Sequence, residues 1–391
     1  MYARLLSLHA SAVLLAAASL CAETVRVDHH LRSIPENMIF GYFSADTPPV
    51  LHIKSGEVVR IDTVSLGGMR DENPEQFFID QGIPLDLPVV QEYIAIKKAV
   101  KSSGIRGHMM TGPIYIEGAE PGDMLEVRVL DIASRTPYGI NSGRPGSGGI
   151  PDAVPRPYQK VIKFDMDRKV GLFSDSIEVP LVPFQGVMGV APVKERGKLS
   201  SSPPYPDIGG NFDNKHLGKG ATVYLPVQVP GALFQTGDPH AAQGNGEISI
   251  TAIESGNTVV MEFILHKGTN LKICRAETPS HYITMGLDVE LNMAMRMAIM
   301  ETLDFLREKK GLDFFDALAL SSVAVDFEVT QVVDGTKGIH GMIAKSLFVK
   351  GQEAYWYTPD TAALYAGLAD GTAPVLAAGT DVAASTRSSA D

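Results

Sequence analysis

Short runs of alternating apolar and polar residues dominate the chain. In Leu125-Glu126-Val127-Arg128-Val129 the apolar side chains fall on every second position, the period of a strand with one face buried. Val223, Leu225, Val227 and Val229 share a face in the same way, as do Val259, Met261, Phe263 and Leu265. Gly and Pro punctuate these runs at Pro121-Gly122, Pro145-Gly146, Gly209-Gly210 and Pro230-Gly231. From about Val25 to Leu265 the pattern predicts an antiparallel sandwich or barrel. Ser134 to Pro157 holds too many Gly and Pro for a strand and is expected as a long surface loop, with Lys198 to Lys219 as a second.

The period changes near Gly286. Leu287, Leu291, Ala294, Ala298, Thr302 and Phe305 form a helical stripe. Asp288 is the expected N-cap and Glu290 falls in the first turn. Arg307, Lys309 and Lys310 fall in the last, and Gly311 can end the helix. Met293, Met295, Met297 and Met300 read as packing on this helix. A shorter helix is expected near Asp313 to Ser322, then strands over Phe327 to Val333 and Gly341 to Val349. The fold class is therefore mainly β with an α+β C-terminal part: an antiparallel β-sandwich core plus helices packed near the C-terminus.

Both ends look different. Arg4 precedes an apolar, alanine-rich run from Leu5 to Leu20 and then small residues, the pattern of a signal peptide and too short for a comfortable membrane span. The expected organisation is a signal peptide over 1–22, a β-sandwich core carrying the site over 23–285, an α+β part over 286–358, and an Ala/Gly/Ser/Thr-rich tail over 359–391, disordered at its end. The mature protein is then exported, to the periplasm or the medium, with no membrane attachment. A net charge of −11 in 391 residues argues against nucleic acid as a partner. Of two cysteines only Cys274 survives leader removal. Its apolar flank reads as buried and inert.

The densest polar cluster is Gly237-Asp238-Pro239-His240-Ala241-Ala242-Gln243-Gly244-Asn245-Gly246-Glu247. Pro239 favours extended geometry at Asp238, and in an extended segment Asp238 and His240 point the same way. A carboxylate and an imidazole there suit a divalent metal. The same pair could instead hydrogen-bond within a turn. Gly244 and Gly246 permit a turn that returns Glu247, which is expected to open a strand Ile248-Ser249-Ile250. Gly209-Gly210-Asn211-Phe212-Asp213 places Asn211 and Asp213 two apart, as a ligand approach or as an Asx-type turn. His108, taken alone, reads as a structural histidine. A phosphate loop, a dinucleotide fingerprint and Gly-x-Ser-x-Gly are all missing from the sequence.

The chain resembles the acetamidase/formamidase family. The resemblance rests on Thr111-Gly112-Pro113 through Asp123, on Gly186-Val187-Met188-Gly189-Val190-Ala191-Pro192, and on Gly209-Gly210-Asn211-Phe212-Asp213. It continues through Leu225-Pro226-Val227, the Gly237 to Glu254 block, Ser321 to Asp326 and Val329-Thr330-Gln331. It implies hydrolysis of a short aliphatic amide to carboxylate and ammonia, and a homo-oligomer. It also implies a divalent metal, zinc or alternatively calcium, held by Asp238 and His240 with Asp213 or His108. Glu247 is then the expected general base and Asn211 the group that orients the amide. Where the family often has Asp, this chain has Asn245, which removes a charge from that turn. The alternatives are hydrolysis of another C–N bond in a larger amide, and a non-catalytic exported binding protein.

Overall fold

The structure, a computed structural model, describes residues 26–65, 67 and 73–349. The expected signal peptide and the Ala-rich tail lie outside the described residues. Two large sheets form the body. One has nine strands, running in space from His29–Leu31 through Glu57–Val64, Gly256–His266, Met124–Ser134, Thr222–Pro226, Arg275–Glu277, His281–Asp288 and Thr336–Ala344 to Val325–Asp334. The other has seven, with Phe234–His240 between Phe184–Gly189 and Met109–Ile116. Val59, Ile61, Leu125, Val127, Val223 and Met261 of the first sheet pack against Met110, Ile114, Val187, Met188 and Phe234 of the second in one core.

Among the described strands, pairing is antiparallel except at two places. His29–Leu31 runs parallel to Glu57–Val64, and Leu51–Ile53 runs parallel to Met109–Ile116. The strand around Leu125 departs from its alternating pattern in an informative way. Glu126 and Arg128 are 1% and 5% exposed, not on a wet face. They lie in a buried network: Arg128 Nε is 2.5 Å from Glu126 Oε1, Arg128 Nη1 is 3.1 Å from Glu262 Oε2, and His266 Nε2 is 2.6 Å from Glu126 Oε2. Mutual pairing lets the period-2 pattern persist on a strand buried on both faces.

The two expected loops contain strands. Tyr138–Gly143 belongs to a four-stranded sheet; in the second stretch Pro204–Tyr205 pairs with Gly209–Asn211, and Leu199–Ser200 pairs with Tyr42–Phe43. Tyr138 and Ile140 are buried beneath two helices, Pro74–Asp80 and Pro88–Ala99, absent from the expectation. Each begins with a proline at its first turn, where the missing N–H costs nothing, and Asn73 caps the first by accepting from Gln76 N at 3.3 Å.

The long helix runs Leu291–Lys310 and ends at Gly311, at φ 68°. Its N-cap is Glu290 rather than Asp288, whose Oδ1 instead accepts from Glu290 N at 2.8 Å. Ala294, Ala298, Thr302 and Phe305 are buried as the stripe requires, but Met293 and Met300 are exposed. The next helix, Phe314–Ala324, is capped by Asp313. The two strands that follow extend the nine-stranded sheet, bringing Glu328, Asp334 and His340 to the core's polar end.

Candidate active site

Asp238 and His240 end the Phe234–His240 strand, and both are buried. The expected extended geometry at Asp238 is not what forms: its φ is +52°. Asp213 and Glu247 also lie in the left-handed region, at +47° and +44°. Three acids in this sparsely populated conformation, converging on one imidazole, mark strain held by the surroundings. The segment after Glu247 turns and forms no strand. The turn itself is stitched to the Val325–Asp334 strand by Gly246 N donating to Thr330 O at 2.9 Å.

His240 is the hub. Its Nε2 lies 3.1 Å from Asp238 Oδ2 and 3.2 Å from Glu254 Oε1, and its Nδ1 lies 3.7 Å from Asp213 Oδ1. The carboxylates crowd the ring, yet none lies along an N–H direction, so both ring nitrogens lack an aligned hydrogen bond. Phe184 packs edge-on against the ring at 5.0 Å between centroids. His108 Nδ1 holds Asp238 Oδ1 at 2.9 Å. Ser65 Oγ donates to Glu254 Oε2 at 2.6 Å, and Ala252 N to Glu254 Oε1 at 3.2 Å. Asn211 Nδ2 donates to Asp213 Oδ2 at 2.6 Å and Asp334 Oδ2 at 3.1 Å, while its Oδ1 is buried without a partner. Gln243 Nε2 donates to the Asp213 carbonyl at 2.6 Å.

The strand opposite makes room. An added Cβ on Gly186 would stand 2.5 Å from Asp213 Oδ1 and 2.7 Å from Asp238 Oδ2. Only a residue without a side chain lets the two carboxyls approach across this strand.

Protonation follows from crowding. Burial, with the charges of Glu247 and Asp334, drives the Asp213 carboxyl well above its usual range. Burial beside Asp334 and Glu254 does the same to Glu247. Burial pushes Asp334 up to about 6. For Asp238 burial acts upward too, but the His108 and His240 imidazoles outweigh it and hold the carboxyl well below its usual range. Burial would lower His108, but Asp238 overrides it and raises the ring to about 9. His240 rises well above its ordinary value because Glu254 and Asp238 overcome its burial. The site as a whole attracts positive charge.

Two groups of side chains here have metal-ligand geometry. Asp213, His240 and Glu247 each offer an atom within 4.8 Å of the others, and so do Asp238, His240 and Glu254. Of the residues expected from sequence, Asp213, Asp238, His240, Glu247, Asn211 and His108 are brought together. His108 belongs to neither group and bonds to Asp238. Glu254 and Asp334 were missed. Glu254 lies inside the Gly237 to Glu254 block, seven residues past Glu247, and Asp334 comes from a strand ninety-six residues past Asp238 by numbering, with no local signal. Glu247 lines an open cleft of about 840 Å³ with Asn141, Phe173, His216, Gln243 and Ile253.

The sequence profile of the acetamidase/formamidase family matches residues 97–201 and 195–344. Each of these site residues except Ser65 lies in that span. The acetamidase of Bacillus halodurans is 30% identical and superposes with a TM-score of 0.67, covering 82% of this chain and 99% of that one. The acetamidase of Yersinia enterocolitica is 27% identical with a TM-score of 0.68, covering 82% and 93%. The acetamidase of Mycolicibacterium smegmatis is 28% identical over 41% of this chain and 54% of its own length. With the profile spanning more than half of the sequence and the fold shared across nearly all of the Bacillus enzyme, the chain belongs to the acetamidase/formamidase family and is an amidohydrolase.

Proposed function

We propose that this enzyme hydrolyses a short aliphatic amide to carboxylate and ammonia, with a divalent cation, zinc or alternatively calcium, at the His240 hub. The observation that carries the cation is a set of three orphans. Asp213 Oδ1, His240 Nδ1 and Glu247 Oε2 are all buried, and none has a hydrogen-bond partner. Their residues are one of the two groups with ligand geometry. Unpartnered buried polar atoms are costly, and a cation satisfies all three at once. The second group is better supplied: Asp238 has His108, and Glu254 has Ser65. Asp238 and Glu254 then stand beside the far nitrogen, Nε2, at 3.1 Å and 3.2 Å, where their charge favours a proton on that atom.

A cation there would polarise the amide carbonyl and lower the pKa of a bound water. The surrounding residues set the rest. Glu247, expected from sequence as a general base, is better placed as a ligand. Asp334, poised near neutrality and held by Asn211, is the carboxyl suited to take a proton from water and deliver it to the leaving nitrogen. Asn211 spends its amide N–H groups on two carboxyls. Its unpartnered Oδ1 is left to accept from the substrate NH₂.

Metal content measured beside ammonia release from formamide and acetamide tests this. His240→Ala and Glu247→Ala should each lose the hub's equivalent of metal together with turnover. Asp334→Asn should keep metal and lower kcat by about 10²-fold, the scale of general acid–base catalysis. Full metal occupancy in both Ala variants, or full turnover by metal-free protein, would overturn the reading. The cleft of about 840 Å³ favours one further possibility, a bulkier amide. Turnover rising with acyl chain length across a panel of amides would establish it. The leader motivates an export proposal: exported protein should begin near Ala22 or Glu23, and an intact Met1 would refute it.

A further inference from the structure

We propose that His216, Glu328 and His340 form a second divalent-cation site, separate from the His240 hub. His216 Nε2 and His340 Nε2 lie 3.4 Å and 3.5 Å from the same oxygen, Glu328 Oε2. One ligand atom from each residue falls within 4.8 Å of the other two, and the group shares no member with the hub. Two imidazoles and one carboxylate are the donor set of a zinc-type ion rather than of calcium, which takes oxygens only.

The scaffold holds the ligands ready. Glu328 and His340 face each other across adjacent antiparallel strands. His340 is fully buried and its Nε2 has no hydrogen-bond partner, although the carboxylate is close. Its Nδ1 is 2.7 Å from Thr330 Oγ1. That contact leaves Nε2 free to offer its lone pair when the threonine accepts. His216 enters from a loop whose backbone is fixed by Asn214 Oδ1 accepting from His216 N at 3.0 Å. Its side chain is 27% exposed and lines the junction of two clefts, which gives an ion a route in.

The position suggests a task. Asn245 donates to Glu328 Oε2, and Gly246 N donates to Thr330 O at 2.9 Å. The turn that delivers Glu247 to the hub is thus fastened to the strand carrying Glu328. An ion on Glu328 would pin that turn from outside without touching substrate.

The test is cobalt titration of chelator-stripped full-length protein, read by equilibrium dialysis and the visible absorption of bound Co²⁺. His216→Ala should bind one equivalent fewer than the parent protein. His240→Ala should keep the absorption of this site, and the His216→Ala/His240→Ala double variant should lose it. His216 is part-exposed, so its removal leaves the core intact, and a thermal melt without metal checks this. Equal stoichiometry and equal spectra in the parent and His216→Ala would overturn the proposal. Because the two sites lose separate equivalents, failure at His240 and failure at His216 are read independently.

Discussion

Gly186 does for the site what no side chain could. Its neighbours across the strand are the carboxyls of Asp213 and Asp238, each within 2.7 Å of where a Cβ would stand. Gly186→Ala should leave the far-UV spectrum intact, lower stability by about 1–3 kcal/mol, and lower metal occupancy with activity. Unchanged metal content would show that the carboxyls have room to move. Cys274 makes the opposite case. It is fully buried, and burial together with Asp207 pushes its thiol far up, which disfavours the reactive thiolate. Cys274→Ser should keep kcat while costing about 1–3 kcal/mol in chemical denaturation, since a hydroxyl replaces an apolar sulfur. Loss of kcat with fold and metal unchanged would make the thiol a participant. The inert reading was available from the apolar flank alone. The role of Gly186 was not, because it depends on atoms from two other segments.

Strands and the long helix were legible where local period and burial agree. Val259, Met261 and Phe263 are buried on one face as their alternation requires. The pattern failed where polar residues are buried in pairs, as at Glu126 and Arg128, and where prolines open helices, as at Pro74 and Pro88. Close approach of elements carries its own prediction. A Cβ on Gly286 would collide with the backbone of Ala294 and Ala298, so the strand His281–Asp288 touches the helix Leu291–Lys310 there. Gly286→Ala should cost about 1–3 kcal/mol or more, with the helix displaced from the sheet. Wild-type stability would show that the layer can yield. Asp62 ties three strands: its carboxylate meets His30 Nε2 at 2.8 Å and Thr258 Oγ1 at 2.6 Å. Burial acts to raise Asp62, but His30, Arg135 and Thr258 together hold its carboxyl below its ordinary value. A depressed carboxyl stabilises the fold fully above its unfolded pKa and loses that contribution as pH falls through the folded value. Asp62→Asn should therefore cost about 1.5–3 kcal/mol at pH 6, the worth of a charge-assisted hydrogen bond, and progressively less below pH ~4. A difference independent of pH would remove the charge from the account.

The molecule joins distant parts of its sequence at every level. Val64 pairs with Gly256, and Glu57 with Phe263, so the second and third strands of the nine-stranded sheet come from segments about two hundred residues apart. The hub draws on residues from His108 to Asp334. This is why the polar residue types were readable and their grouping was not: spacing within Asp238-Pro239-His240 is local, but Glu254, Asp334 and Gly186 arrive through the sheets. The same pairing bears on how the chain matures. Loop closure over such separations must precede the contacts that reward it, so formation of this fold is slow relative to a helical protein of equal length. The strand Glu57–Val64 leaves the ribosome long before its partner Gly256–His266 exists. A nascent chain ending at residue 250 should remain open to protease while the finished chain resists. Most of synthesis is then spent with apolar strands waiting for partners, which makes this a natural client for a holding chaperone.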